Sequence, residues 1–194
     1  LTNATITNIG GLNTWQVSGV ISGGLSITRS GSLPSPFTLN DGFLIGPGIS
    51  LKGANLNQVN LFNADLANVS SGEIIGTPTA LPLSWELING YLIGPRANLI
   101  NADLDNMNLA AADLTGVRSG GITGTPTVLP SNWKLVGGYL MGPGVNLEQG
   151  VLTNANLNGV DLTGADLNGA DLSNADLSHA CLLYTSDAAD DGLS

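Results

Sequence analysis

The chain is short of nearly everything that catalysis and ion binding draw on. Among 194 residues there is one cysteine, one histidine, five Lys and Arg together, and only 10% charged residues. A single cysteine, Cys181, excludes a disulfide framework. The one histidine, His179, is expected to face outward beside a stretch that reads as non-native, so no Ser-His-Asp or Cys-His arrangement is expected, and there is no zinc spacing. The formal charge of −10 and the scarcity of basic residues argue against direct binding of nucleic acid or an anionic membrane surface. No apolar run approaches the roughly 18 residues of a spanning helix, so membrane insertion is not expected. The chain opens on Leu1 without a basic, apolar leader, which reads as a mature or excised piece. Gly-rich pieces such as Ser119-Gly120-Gly121 lack the lysine and following helix of a phosphate loop.

What the chain has instead is repetition. From Leu147 to Leu177 a leucine returns every fifth residue: Leu147, Leu152, Leu157, Leu162, Leu167, Leu172 and Leu177. A small apolar residue stands two places before most of them (Ala155, Val160, Ala165, Ala170, Ala175), and Asn or Asp directly before (Asn156, Asp161, Asp166, Asp171, Asp176). Neither the 3.6 period of a helix nor the period of 2 of a strand yields a strict five. If each pentad forms one side of a coil, the leucine and the small residue point inward and the three polar places face water.

The A(D/N)LxX pattern resembles that of the pentapeptide-repeat family. The resemblance implies an all-β fold, a right-handed quadrilateral parallel β-helix with four pentads per coil, stacked at roughly 4.8 Å. Burial of each leucine is worth about 1.5–3 kcal/mol, so a column of them holds the fold without a large central core.

A longer repeat of 48 residues overlies the pentads. Phe43, Tyr91 and Tyr139 are 48 apart, as are Phe37, Trp85 and Trp133, and the pairs beginning at Leu33, Leu81 and Leu129. Leu51, Leu56, Leu61 and Leu66 return as Leu99, Leu104, Leu109 and Leu114, then as Leu147, Leu152, Leu157 and Leu162. Forty-eight is two coils of 20 plus an insertion of 8, so a loop insertion is expected on every second coil. Inward places Val117, Ile122, Leu135, Leu140 and Val145, with their counterparts Val69, Ile74, Leu87, Leu92 and Ala97, put that loop between Ile122 and Leu135. It would contain the GTPT segments Gly76–Thr79 and Gly124–Thr127. The rod would have about seven coils and a length of roughly 34 Å.

The domain reading is a cap or irregular first coil over residues 1–20, with Trp15 as a lid; a β-helix over 21–180; and a tail over 181–194. Residues 181–191, CLLYTSDAADD, resemble a translated sequencing adapter and read as non-native. Without 181–194, which hold three aspartates and no basic residue, the formal charge is −7.

Three groups of residues are candidates for function. The repeated aromatics, Trp85 and Trp133 with Tyr91 and Tyr139, mark candidate interaction loops, with packing of each loop onto its coil as the alternative. Asp65, Asp113 and Asp161 fall on one face, roughly 10 Å apart along the rod, too far to share an ion. No metal, cofactor or catalytic group is expected, and the chain does not read as an enzyme.

The leading functional expectation is a non-catalytic scaffold or protein-interaction module of a larger structural or surface protein, secreted or at the cell surface. Its partner would be an unidentified protein or a second copy of itself. The resemblance supplies one alternative, since some quinolone-resistance members are acidic DNA mimics that bind a type II topoisomerase. A carbohydrate-binding β-helix is the other.

Overall fold

The computed structural model describes Leu33 and residues 35–182, together with two short parallel strands, β1 (Thr5–Ile6) and β2 (Ser26–Ile27). Trp15 and the rest of the expected cap, and the tail beyond Leu182, lie outside the described residues. Those that are described form strands, bridges and turns, with no helix.

The pentad is a corner joined to a short extended piece. Each leucine carbonyl accepts from the N–H three residues on, as in Ala102 N to Leu99 O (3.1 Å) and Ala165 N to Leu162 O (3.0 Å). This closes a β-turn whose third residue takes positive φ at most corners, among them Asn101 (59°), Asn106 (58°), Gln149 (60°) and Asn154 (58°), with glycine at Gly53, Gly116 and Gly164; Asn63 and Ala111 are the exceptions. Asn and Gly are the residues that enter the left-handed region at least cost. A second bond braces the turn from the other side. Wherever Asn or Asp precedes the leucine, its Oδ1 accepts the N–H two residues further on, as in Asn55 to Asn57, Asp103 to Asp105 and Asp171 to Ser173, at 2.9–3.1 Å.

Four such corners bring the chain back beside itself. Parallel bridges join Asn98 to Arg118, Asp103 to Thr123 and Asn108 to Val128, and likewise Asn146 to Asp166, Val151 to Asp171, Asn156 to Asp176 and Asp161 to Cys181, always 20 residues apart. Leucine N–H groups donate along this ladder, Leu99 to Arg118 O and Leu157 to Asp176 O both at 2.8 Å. The backbone is thereby satisfied between successive passes of the chain.

At two places the step is 28, Ser70 to Asn98 and Arg118 to Asn146. The eight extra residues do not lie where the spacing of apolar places put them. The GTPT segments stay in the wall, since Gln58 N donates to Thr77 O (3.0 Å) and Asn106 N to Thr125 O (3.1 Å). The added length lies further on, as antiparallel hairpins: β3 (Thr38–Asn40) with β4 (Phe43–Ile45), β5 (Glu86–Ile88) with β6 (Tyr91–Ile93), and β7 (Lys134–Val136) with β8 (Tyr139–Met141). Leu135 and Leu140 therefore face each other across a hairpin instead of succeeding one another round the wall. The turns Asp41-Gly42, Asn89-Gly90 and Gly137-Gly138 all have two positive φ values, the type I′ geometry that suits strand twist.

Each complete hairpin is an extra layer on part of the stack. Gly90 O accepts from Ile74 N (3.1 Å) and Gly138 O from Ile122 N (3.0 Å), so the hairpin tip rests on the wall of the preceding pass. Ser71 Oγ and Ser119 Oγ accept from Leu92 N and Leu140 N at 2.9 and 3.0 Å, which is why Ser119 is a buried polar residue at a place where leucine stands elsewhere.

The core is built from three sources and falls into two clusters, with Trp133 packed against both. The leucines at 51, 56, 61, 66, 99, 104, 109, 114, 147, 152, 157 and 162 are all buried. Small partners such as Ala102, Val117 and Val160 fill between them, and Leu44, Ile45, Leu92, Ile93, Leu140 and Met141 enter from the hairpins. Leu167, Leu172 and Leu177 are half-buried.

Leu104→Ala should lower the urea unfolding free energy by about 2–5 kcal/mol, the usual range for a fully enclosed leucine. Leu177→Ala should cost clearly less, and Leu157→Asp should prevent cooperative unfolding altogether.

Candidate functional site

The repeated aromatics are set by their turns. Trp85 and Trp133 each donate a backbone N–H to the carbonyl of a proline three residues back, Pro82 and Pro130, at 3.1 Å, with Ser84 and Asn132 at positive φ. These turns lay the indole rings on Gly94 and Gly142, leaving no room there for a β-carbon; Phe37 lies on Gly46 in the same manner. Trp85 is buried and Trp133 half-buried.

Tyr91 and Tyr139 are half-buried and span from the hairpin to the following wall. Their hydroxyl oxygens accept from Asp103 N and Val151 N, each at 3.1 Å. The two rings pass over Gly72 and Gly120. The hydroxyls thus take a ladder donor at a point where the hairpin separates successive passes of the wall. Phe43, at the matching place in the first unit, has no hydroxyl.

The aspartates have a structural task that patterning alone did not reveal. Asp65, Asp113 and Asp161 each accept a turn N–H at 3.0 Å, from Ala67, Thr115 and Thr163. The clue was that Asn and Asp exchange freely at this place, as in Asn98, Asp103, Asn108 and Asp113. What they share is an acceptor oxygen, not a charge. Hydroxyls add to it near the end of the described chain: Ser173 Oγ and Ser178 Oγ donate to Asp171 and Asp176. Hydrogen bonds from the Thr163, Ser173 and Ser178 side chains, then from their backbone N–H groups, hold the carboxyls of Asp161, Asp171 and Asp176 below their ordinary value of 3.8.

His179 is exposed, at the turn position with φ 58°, and Cys181 is exposed beside Thr163. Among the described residues no three His, Cys, Asp or Glu side chains are grouped to hold a metal. Among the described residues two ion pairs link neighbouring passes, Lys52 with Glu73 (3.5 Å) and Arg118 with Glu148 (3.3 Å).

Two clefts open where a hairpin meets the wall. One of 480 Å³ lies between β3 and the corner at Asn60, Asn63 and Ala64. The other, of 330 Å³, lies between the third hairpin turn and the wall from Val151 to Asn156.

A family model of pentapeptide repeats matches residues 96–118 and 144–182, in 8 copies. The match passes over 119–143, which holds the third hairpin, and over 51–66, whose turns and bridges are of the same kind. No curated protein and no solved structure matches the chain.

The lowered carboxyl values fix the sign of the acid response. A group whose folded value lies below its unfolded value stabilises the fold above that unfolded value and loses this as pH falls through the folded one. Thermal melts followed by circular dichroism should therefore show stability constant above about pH 5 and declining from about pH 4 downward. Replacing Asp161, Asp171 and Asp176 together by Asn, which keeps the acceptor and removes the titration, should flatten that decline.

Gly142→Ala should destabilise strongly by colliding with the Trp133 ring. In a double-mutant cycle with Trp133→Ala the two losses should be far from additive, with a coupling of about 0.5–3 kcal/mol. Additive losses would mean that the ring does not lie on the glycine.

Proposed function

We propose that this chain, a member of the pentapeptide-repeat family, is a non-catalytic scaffold and interaction module built as a right-handed, four-sided β-helix of about seven turns, with a hairpin at every second turn. One observation carries the reading: the aspartates that recur before the leucines, and two of the repeated tyrosines, are already committed to the backbone. Asp65, Asp103, Asp113, Asp161, Asp166, Asp171 and Asp176 each cap a turn, and Tyr91 and Tyr139 each accept a ladder N–H. What remains for partners is a largely uncharged surface marked by hairpins at a fixed interval. Its partner would be another protein or a second copy of the chain, in a secreted or surface setting.

Nothing specific favours a DNA mimic. Asp161, Asp166, Asp171 and Asp176 come from four successive pentads and so turn to four different sides, whereas a mimic needs its charge along one surface.

Light scattering over a concentration series, on the full chain and on a version ending at Ala180, tests the reading. Concentration-dependent growth of both supports self-association, and stable monomers direct the search to other proteins. A supercoiling assay with a type II topoisomerase should show no inhibition by the chain. Inhibition would overturn the scaffold reading in favour of mimicry.

A further inference from the structure

Successive passes are not fastened to one another equally. Where the step is 20, bridges run along three walls: Ser50 to Ser70, Asn55 to Ile75 and Asn60 to Ala80, then Asn98 to Arg118, Asp103 to Thr123 and Asn108 to Val128. Where the step is 28, one wall alone is bridged. Ser70 pairs with Asn98 and Arg118 with Asn146, but among the described residues no bridge carries Ile75 on to Asp103, Ala80 to Asn108, Thr123 to Val151 or Val128 to Asn156. The corner leading into the bridged wall stays tied as well, by Asn68 N to Arg96 O and Gly116 N to Gly144 O, both at 2.7 Å. On the two walls that follow, the hairpin stands between the passes.

The hairpin is held by the pass before it. Ile74 N and Ile122 N donate to the tip carbonyls, and Ser71 and Ser119 accept from Leu92 N and Leu140 N. Toward the pass after it, β5–β6 and β7–β8 reach only by side chains among the described residues. Tyr91 and Tyr139 accept from Asp103 N and Val151 N at 3.1 Å, and Lys134 Nζ donates to Asn158 O at 3.4 Å. Both clefts open at this kind of junction. The one of 330 Å³ is lined by Tyr139 and Val151, the two ends of one such contact. The one of 480 Å³ lies in the first unit, where Phe43 has no hydroxyl, and is spanned by the Asn40 amide donating to Asn60 O at 2.8 Å. The core divides at the third hairpin too: Leu140 ends one cluster and Met141 begins the other, with Trp133 against both.

We propose that each junction after a hairpin is a hinge. The rod is then a series of rigid double-pass blocks, fastened by backbone along one wall and its corner and able to part on the hairpin side, with the tyrosine hydroxyl as latch. Parting the bridged wall would strip several backbone groups of their partners at once, whereas parting the hairpin side gives up one or two side-chain contacts and leaves the freed N–H to water. Asp103 and Val151 are exposed, so water reaches both. Opening there bends the rod toward the bridged wall and widens the clefts. This inference goes beyond the scaffold reading and does not depend on whether the chain self-associates.

Native-state hydrogen exchange of the full chain, followed by NMR in the absence and presence of low urea, tests the hinge. The amides of Asp103 and Val151 should exchange by a local opening that urea hardly affects. Those of Asn98 and Asn146, which bond Val69 O and Val117 O across the same two junctions, should exchange far more slowly and accelerate with urea. Tyr139→Phe, with Phe43 as its precedent in the first unit, should speed Val151 roughly tenfold and leave Asp103, Asn98 and Asn146 at their original rates. Tyr91→Phe should do the same to Asp103 alone. The hinge is overturned if Asp103 and Val151 exchange as slowly as Asn98 and Asn146, if either variant leaves its own amide unchanged, or if it raises all four rates together.

Discussion

The backbone ladder between successive passes of the chain is what every other feature serves. A parallel ladder demands that the chain return to the same lateral position after a fixed number of residues, and each 20-residue step carries a leucine turn in every pentad. The corner is consequently the most constrained part of the pentad. It has two locks, the leucine carbonyl bonded to the N–H three residues on and the Asn or Asp oxygen bonded to the N–H two residues on. The leucines then fill the space on the inner side of these turns. Burial stabilises the stack, while the corners decide that there is a stack to stabilise.

The hairpins show how much irregularity such a ladder tolerates. Eight residues enter each 48-residue unit without breaking the register of Ser70 on Asn98 or Arg118 on Asn146. Their polar groups are absorbed locally, since the strands pair with each other and the tip carbonyl, tyrosine hydroxyl and wall serine take up the N–H groups left unpaired by the separation. The substitution is economical in residue types. Ser71 and Ser119 stand where a pentad leucine would otherwise have stood, trading apolar volume for an acceptor at a point where the hairpin itself brings Leu92 and Leu140 into the core.

The column of leucines and the unit of 48 were legible in the sequence, because the central inward place of the regular pentads holds leucine from Leu51 to Leu66 and again at the same places in the next two units. The corners were not. Asn at the place before leucine and Asn two places after look alike as polar residues, yet one is an acceptor and the other a left-handed turn residue. The hairpin was hidden for a different reason. Leu135, Leu140 and Val145 keep the spacing of five by coincidence, and that spacing outweighed Asp41-Gly42 and Asn89-Gly90, which are strong local signals for a tight hairpin. The aromatic packing left a trace as well: Gly46, Gly94 and Gly142 recur with Phe37, Trp85 and Trp133 at the same interval.

With these commitments set out, the pentad has one place left to vary. Two residues point inward, one caps the turn and one holds positive φ at most corners, which leaves the residue directly after the leucine. That place holds Lys52, Asn57, Phe62, Ala67, Ile100, Asp105, Ala110, Thr115, Glu148, Thr153 and Asn158 in this chain, a spread of charge, size and polarity found at no other place in the repeat. Because the corner does not depend on it, this residue can change without disturbing the ladder. Any selectivity of the walls is therefore written there and in the hairpins, one residue per corner, on a frame that holds each at a fixed height and side.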